Sequence, residues 1–151
     1  MVLPYEIMTL SAEETESCGE ELARLMGKDS LLPRFVAMYG DLGVGKTAFV
    51  RGFTRVLSPS STVKSPTFAL VNEYGKGENA VFHFDMYRIT SEDDLYSIGF
   101  YDYAARRGIS LIEWSENIPF ALPEKYIRLE ITKNDTENPD SRKITITLAE
   151  G

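Results

Sequence analysis

The chain has 151 residues, of which 43% are hydrophobic and 26% charged, and this composition excludes a disordered chain and fits one globular domain. Acidic residues outnumber basic ones 23 to 16, and the net charge of −7 argues against a protein that binds nucleic acid on its own. The single cysteine, Cys18, excludes an internal disulfide and a zinc site of several thiolates. Because no apolar run approaches about 20 residues and the N-terminus lacks a signal sequence, we expect a cytoplasmic protein without a membrane partner.

The N-terminal half of the chain is predicted to alternate helices and strands. Ser11 and Glu14 have the spacing of a helix capping box, and apolar residues follow at helical spacing as far as Gly27. This apolar face carries the cysteine, which indicates a buried structural thiol. Residues 35–39 form a short apolar run that is typical of a buried strand, and residues 46–57 have the pattern of an amphipathic helix.

The C-terminal half contains five predicted strands and two short predicted helices. In chain order these are the strands at residues 67–74 and 80–84, the helices that begin at Ser91 and Tyr101, and the strands at residues 109–112, 126–132 and 143–148. Turn-forming residues between the first two strands and between the last two predict hairpins. Because helices and strands alternate through the middle of the chain, we expect a layered α/β fold with a mixed parallel and antiparallel sheet.

A glycine-rich loop connects the predicted strand at residues 35–39 to the helix at residues 46–57. It matches the phosphate-binding pattern G-x-x-x-x-G-K-[ST], and its residues are Gly40, Asp41, Leu42, Gly43, Val44, Gly45, Lys46 and Thr47. Glycines allow consecutive backbone N–H groups to point at phosphate oxygens, and the N-terminus of the helix adds a positive potential. We expect Lys46 to reach the β- and γ-phosphates and the Thr47 hydroxyl to bind Mg²⁺. Residues 1–151 are therefore expected to form a single P-loop NTPase-like domain with three layers.

Two features of the sequence concern the nucleotide itself. Ala48 occupies a position that often carries a second hydroxyl for the α-phosphate, so we expect its backbone N–H to make that contact. No Asn-Lys-x-Asp string for guanine recognition occurs anywhere in the sequence, which favours ATP over GTP. We therefore expect ATP with Mg²⁺ as the ligand of loop residues 41–48.

Two carboxylates at the ends of predicted strands are candidates for the metal site. Glu113 ends the apolar run at residues 109–112, and Asp85 follows the strand at residues 80–84. Ligands bind at the carboxyl ends of strands in open α/β sheets, so either carboxylate can face the phosphates. The more uniformly apolar run before Glu113 favours a central strand beside the strand of the phosphate loop. The candidate catalytic residues are Lys46, Asp85 and Glu113, and the candidate metal ligands are Thr47, Glu113 and Asp85.

Four further features near these strands each have two interpretations. His83, the only histidine, shares a strand face with Asp85, and it is either a buried structural residue or one that orients this carboxylate. Arg88 is either a surface residue or a partner for a carboxylate or the γ-phosphate. Trp114 either packs in the core or contacts the nucleotide or a partner protein. The segment Ser65-Pro66-Thr67-Phe68 is either a turn or a sensor of the γ-phosphate.

Together these motifs resemble the TsaE family, the bacterial ATPases of tRNA threonylcarbamoyladenosine synthesis. The resemblance is carried by the loop at residues 40–47 with Phe49, by Ser65-Pro66-Thr67-Phe68, by His83-Phe84-Asp85-Met86-Tyr87-Arg88 and by Glu113-Trp114. The order and spacing of these motifs match the family across nearly the whole chain. The N-terminal helix with Glu14-Thr15, and Arg142 on the last predicted hairpin, are similar as well.

The resemblance implies a cytoplasmic, Mg²⁺-dependent ATPase with low activity on its own. It also implies assembly with a TsaB–TsaD complex, in which TsaD transfers the threonylcarbamoyl group to adenosine 37 of certain tRNAs, so that tRNA is reached only through these partners. By the same resemblance, Thr47 and Glu113 would hold Mg²⁺, and Asp85 would act near the attacking water or the metal. The remaining candidates for nucleotide contact are Thr15 and Arg142 on the adenine side, and Trp114.

Two other functions are compatible with the residues. A small-molecule or nucleotide kinase needs an acceptor pocket and usually an arginine-rich lid, whereas the arginines here are scattered, with only Arg106 and Arg107 adjacent. A nucleotide-sensing interaction module with little hydrolysis would bind a partner differently in its ATP and ADP forms. The aromatic residues Phe100, Tyr101 and Tyr103 are candidates for the docking surface of such a module.

Overall fold

The computed structural model describes residues 1–41, 43–66, 70–134 and 137–151. The strands in these ranges are β1 (Tyr5–Thr9), β2 (Phe35–Tyr39), β3 (Val71–Tyr74), β4 (Val81–Asp85), β5 (Ile109–Glu113), β6 (Lys125–Lys133) and β7 (Arg142–Glu150). The helices are α1 (Ala12–Lys28), α2 (Lys46–Leu57), α3 (Glu92–Ser97) and α4 (Phe100–Ala105). Short 3₁₀ turns lie at Gly77–Asn79, Ser115–Asn117 and Pro119–Ala121. None of the helices in the described ranges is long and apolar enough to cross a membrane.

The strands form one sheet in the order β1-β7-β6-β2-β5-β4-β3. Its middle strands β6, β2, β5 and β4 run parallel to one another. At the edges, β7 and β1 on one side and β3 on the other pair antiparallel with their neighbours. The mixed sheet expected from the sequence is therefore confirmed. Strand β5 pairs directly with β2, which confirms that the run ending at Glu113 is a central strand beside the strand of the phosphate loop.

Helices cover both faces of the parallel strands. In β2, Val36 and Met38 face a core that is closed by α1 and α2, while Phe35 and Ala37 face a second core that is closed by α3 and α4. Successive side chains of a strand point to opposite faces, so a strand covered on both sides needs an uninterrupted apolar run. The predicted three-layer arrangement is confirmed.

Helices α1 and α2 cross at very short range, which determines where the phosphate loop lies at the start of α2. A Cβ atom at Gly19 would collide with the backbone carbonyl of Phe49, and one at Gly52 would collide with the backbone carbonyl of Glu16. Next to this crossing, Glu16 accepts from Arg51 Nη1 at 2.7 Å. The ion pair is partly exposed and contributes little to stability. The close approach of the two backbones is therefore the main constraint on how α1 and α2 pack.

Several elements differ from the sequence-based prediction. Strand β1 was not predicted, because its side chains at Glu6 and Met8 are exposed and the strand exists through its pairing with β7. Helix α4 is Phe100–Ala105, not residues 101–107, since Arg106 already has extended backbone angles. Helix α1 continues one residue beyond Gly27. The capping box is confirmed, because the Glu14 backbone N–H donates to Ser11 Oγ at 3.1 Å. Of the strand expected at residues 67–74, the part at residues 67–69 lies outside the described residues.

Candidate nucleotide-binding site

Seven of the predicted site residues line one cavity at the carboxyl ends of β2, β4 and β5. The cavity has a volume of about 290 Å³ and is lined by Gly43, Gly45, Lys46, Thr47, Ser65, Asp85, Glu113 and Trp114. In the sequence these residues are spread over four separate segments. Parallel strands bring them together because their carboxyl ends meet at the same edge of the sheet.

The phosphate loop has backbone angles that only glycine adopts easily. Gly40 has φ +142°, and a Cβ atom there would collide with the carbonyl oxygen of Ile131 in β6. Gly45 has φ +106° and caps the N-terminus of α2. Such a conformation turns successive N–H groups toward one side of the loop, which is the arrangement that binds phosphate. Of the other loop residues, Asp41 is exposed, Ala48 lies in the first turn of α2, and Leu42 lies outside the described residues.

Arg142 and Thr15, which were expected on the adenine side, contact the phosphate loop at Val44 and Gly45. Arg142 Nε donates to the backbone carbonyl of Val44 at 2.8 Å. A Cβ atom at Gly45 would stand 3.8 Å from the Thr15 methyl group. The Thr15 hydroxyl is hydrogen-bonded to that of Thr9 at 2.9 Å. These contacts support the loop, and an adenine contact of either residue stays a prediction.

Lys46 is buried at the centre of the site. Only 5% of its surface is exposed. Its Nζ donates to the backbone carbonyl of Gly40 at 2.7 Å and lies 4.3 Å from the centre of the Trp114 ring. Burial lowers the pKa of Lys46, and nearby carboxylates, with Glu113 the strongest, act in the opposite direction. An ammonium group held in this way stands ready to bind an anion in the cavity.

Asp85 and Glu113 are direct neighbours across the parallel strands β4 and β5. Both are almost fully buried, with 7% and 6% of their surfaces exposed. Asp85 Oδ1 accepts the backbone N–H of Tyr87 at 2.9 Å. Two carboxylates in this position beside a lysine and the Thr47 hydroxyl are oxygen ligands of the kind that Mg²⁺ takes together with phosphate oxygens. The residues therefore fit an Mg²⁺–nucleotide site, although the described residues contain no group of three or more His, Cys, Asp or Glu side chains suited to hold a metal alone.

His83 has a different partner from the one that strand alternation suggested. It does lie on the same face as Asp85, but its Nε2 is hydrogen-bonded to Glu113 Oε2 at 2.6 Å. Of the two interpretations, the buried, hydrogen-bonded histidine is the one observed, because the imidazole reaches diagonally to Glu113 on the adjacent strand and not along its own strand to Asp85. His83 is completely buried.

Trp114 stands at the mouth of the site in an unusual backbone conformation. Its φ of +59° is in the left-handed region, which ends β5 and turns the indole over Lys46. The Trp114 ring also packs against Tyr87 at 5.1 Å between ring centres. Trp114 is partly exposed, and it both lines the cavity and packs against the second core.

The other expected residues are placed less centrally. Ser65 lines the cavity, whereas Thr67 and Phe68 lie outside the described residues. Arg88 is exposed. Asn117 had no role in the sequence-based expectations, yet its Nδ2 donates to the backbone carbonyl of Met86 at 2.9 Å and so holds the segment that follows Asp85. No local pattern indicates such a contact, because its partner lies 31 residues away.

Comparison with known proteins agrees with the arrangement of these motifs. Residues 9–144 match the family model described as threonylcarbamoyl adenosine biosynthesis protein TsaE. The chain belongs to the TsaE family. Among the members of this family, a tRNA threonylcarbamoyladenosine biosynthesis protein TsaE from Bacillus subtilis is 33% identical over 92% of this chain and 82% of its own length. A protein of the same name from Haemophilus influenzae is 40% identical over 74% of this chain and 68% of its own length.

The TsaE-family assignment also agrees with the fold. The crystal structure of YdiB from Bacillus subtilis superposes with a TM-score of 0.72, covering 100% of this chain and 88% of that chain at 28% sequence identity. The P-loop NTPase-like α/β fold expected from the sequence is thereby confirmed.

Proposed function

We propose that this TsaE-family chain is an Mg²⁺-dependent ATPase that acts in the cytoplasm, together with a TsaB–TsaD complex, in the synthesis of N6-threonylcarbamoyladenosine at position 37 of tRNA. The observation that carries the proposal is the convergence of Lys46, Thr47, Asp85 and Glu113 on one cavity beside the glycine loop. The pathway is supported by the names of the relatives.

The phosphate loop would bind the triphosphate and stabilise charge that develops on the γ-phosphoryl group. In the proposal, Lys46 leaves the Gly40 carbonyl and donates to the β- and γ-phosphate oxygens. Loop N–H groups around Gly43 and Gly45 donate to the same phosphates. A buried ammonium is an effective partner here because burial weakens the screening of its charge by water.

The polar residues opposite the loop would hold the metal and the attacking water. Thr47 and Glu113 would bind Mg²⁺, which supplies positive charge that neutralises the phosphate oxygens. Asp85, whose Oδ1 is held by the Tyr87 N–H, would orient the water that attacks the γ-phosphorus. Trp114 would close one side of the cavity next to Lys46.

The chain alone is expected to hydrolyse ATP slowly and to turn over faster in its complex. Many P-loop ATPases obtain part of their catalytic machinery from a partner protein, and this raises their rate by orders of magnitude. The net charge of −7 is in keeping with a role in which the partners contact the tRNA.

The test is ATP hydrolysis by this chain alone and with a purified TsaB–TsaD pair, with Lys46→Ala as the control. We expect stimulation by the pair, ADP and inorganic phosphate as the only products, and no turnover by the variant. In a reconstituted reaction with tRNA, threonylcarbamoyladenosine measured by mass spectrometry should depend on the wild-type chain.

Three outcomes would contradict this proposal. Normal ATP turnover by Lys46→Ala would contradict the assignment of Lys46 and its loop as the phosphate-binding site. Tight ATP binding without hydrolysis or stimulation would favour a nucleotide-sensing module. Transfer of phosphate to a small acceptor would favour a kinase.

A further inference from the structure

We propose that His83 is a positioning residue that holds the carboxylate of Glu113 in the orientation needed to bind the metal ion. The inference deepens the proposed function and rests on it, because it concerns the metal side of the same site. It assigns His83 no contact with the nucleotide or the metal.

The geometry of the pair leaves little freedom to the Glu113 side chain. His83 Nε2 and Glu113 Oε2 are 2.6 Å apart, and both residues are almost fully buried. A carboxylate that binds a metal ion can only accept hydrogen bonds, so in the proposed arrangement Nε2 is the donor and Glu113 Oε2 the acceptor. Charge-assisted hydrogen bonds of this kind are short and strong. The bond leaves Oε1 as the second oxygen of the same carboxylate, on a residue that lines the cavity with Thr47.

The strand register explains how His83 reaches Glu113. In the parallel pair β4 and β5, His83 stands opposite Leu111 and Asp85 stands opposite Glu113. Residues two positions apart on a strand share a face, so His83 is the diagonal neighbour of Glu113 on the side facing α2. Its backbone is fixed within the sheet, and its ring is completely buried. A donor on a rigid element is well suited to orient a flexible glutamate.

A packing role alone does not explain a histidine at this position. Within the described part of the chain, His83 Nδ1 is one of only two buried side-chain nitrogen or oxygen atoms without a hydrogen-bond partner, and Thr54 Oγ1 is the other. A buried polar atom without a partner is destabilising, and an apolar side chain would avoid that loss. What the position gains from histidine is the bond that Nε2 makes to Glu113.

The two carboxylates of the site are held by different means. Asp85 is short, and its Oδ1 accepts a backbone N–H two residues further along the chain. Glu113 has a longer side chain with more rotatable bonds, and its donor is a side chain from the neighbouring strand. A substitution at position 83 can therefore loosen Glu113 without disturbing Asp85. Residues that hold a metal ligand in place typically change metal affinity about 10- to 100-fold when they are replaced.

Three substitutions of His83 separate the donor from the ring. In His83→Gln the amide nitrogen corresponds to Nε2 and can donate to Glu113. In His83→Asn it corresponds to Nδ1 and falls short, while His83→Leu removes all polar atoms. Thr54→Val is the matched control. It removes Thr54 Oγ1 in α2, which is the second buried polar atom without a hydrogen-bond partner.

The measurements are ADP binding by calorimetry with Mg²⁺ and with EDTA, Mn²⁺ binding to the ADP complex by electron paramagnetic resonance, and thermal unfolding of each variant. We expect His83→Leu and His83→Asn to weaken Mn²⁺ binding about 10- to 100-fold, with ADP affinity in EDTA unchanged. His83→Gln should recover most of the metal affinity, and Thr54→Val should behave as the wild type. If His83→Leu does not fold, His83→Asn decides the question.

A double-mutant cycle with Glu113→Gln tests whether His83 acts through Glu113. We expect His83→Asn to cause no further loss of Mn²⁺ affinity once Glu113 is replaced. Additive losses would overturn the proposal, as would wild-type metal affinity in His83→Asn or an equal loss of ADP affinity in EDTA. If the wild-type chain binds ADP and no metal, the proposed metal site fails and His83 loses this role with it. If the wild-type chain binds Mn²⁺ with ADP and the His83 variants bind it equally well, the proposed function stands and this inference fails.

Discussion

The two halves of the sheet share strand β6 but are built differently. In the parallel half, β2, β5 and β4 are buried on both faces, and their carboxyl ends carry the phosphate loop, Glu113 and Asp85. In the antiparallel half, β7 buries Ile144 and Ile146 on one face, while Lys143, Thr145 and Thr147 on the other face are partly exposed.

The difference between the halves is one of role. The parallel strands end side by side, so their terminal residues can act on one ligand. The antiparallel half contributes Arg142, which reaches the phosphate loop from outside and holds the Val44 carbonyl. One half therefore carries the proposed chemistry, and the other, together with α1, contacts the phosphate loop. Four predictions test the site residues and the residues that pack around them, in order of decreasing expected effect.

Replacement of Glu113 tests the parallel half. We expect Glu113→Gln to lower Mg²⁺-dependent ATP hydrolysis about 100- to 1000-fold, which is the usual loss when one group that stabilises a charged transition state is removed. Nucleotide binding in EDTA should be retained, and hydrolysis would be measured over a range of Mg²⁺ concentrations. Glu130→Gln is the control, since this carboxylate on β6 pairs with Arg128 at 3.1 Å outside the cavity. An unchanged Mg²⁺ response in Glu113→Gln would transfer the metal role to Asp85.

The crossing of α1 and α2 is the structural contact at which we expect a substitution to cost the most stability. Gly52→Ala would drive a methyl group into the backbone carbonyl of Glu16 in α1, and the two helices would have to separate. We expect a loss of about 1–3 kcal/mol in the free energy of unfolding, measured by urea denaturation. Gly27→Ala is the matched control, because a Cβ at that helical glycine meets no atom within 4 Å. Equal stability of the two variants would mean that the crossing tolerates more separation than the contact implies.

Arg142 tests the contribution of the antiparallel half to binding. We expect Arg142→Ala to weaken ATP, GTP and tripolyphosphate binding by the same factor of about 10, or about 1.4 kcal/mol, because a lost charge-assisted hydrogen bond would disturb the loop for every phosphate ligand. Arg142→Lys should bind these three ligands with affinities between those of Arg142→Ala and the wild type. A loss confined to ATP would show instead that Arg142 contacts adenine, as the family resemblance implied.

The smallest expected effect concerns Cys18 on α1 and the dependence of the free energy of unfolding on pH. Burial raises the pKa of Cys18 from 9.0 to about 12, because the apolar core disfavours the thiolate. The resulting stability is fully present below pH 9 and is lost as the pH rises toward 12, since only the unfolded chain ionises easily in that range. We expect a loss of about 0.8 kcal/mol at pH 9.5, measured by thermal unfolding, and a smaller pH slope in Cys18→Ala. Rapid alkylation of the native thiol at pH 8 would contradict this burial.

Local patterns predicted most elements of the molecule correctly. Strand β2, the phosphate loop and α2 follow one another in the chain, and each depends on nearby residues: a run of apolar side chains, glycines at positive φ and helical spacing. The same holds for the Ser11 and Ser91 caps, whose bonds span three residues. Strand β1 escaped prediction because it has only five residues and Met8 interrupts their alternation, so the strand depends on its pairing with β7.

The layered α/β fold, the phosphate loop and the candidate residues could be predicted from the amino-acid sequence alone, because they depend on side-chain type and short spacing. The hydrogen bond between His83 and Glu113, 30 residues apart, and the contact of Arg142 with Val44, 98 residues away, became visible in the folded chain. These partners follow from strand order and register, and an alternating pattern specifies which face a residue occupies but not which neighbour it meets. The chemistry could therefore be predicted from motifs, whereas the contacts that hold it in place required the assembled sheet.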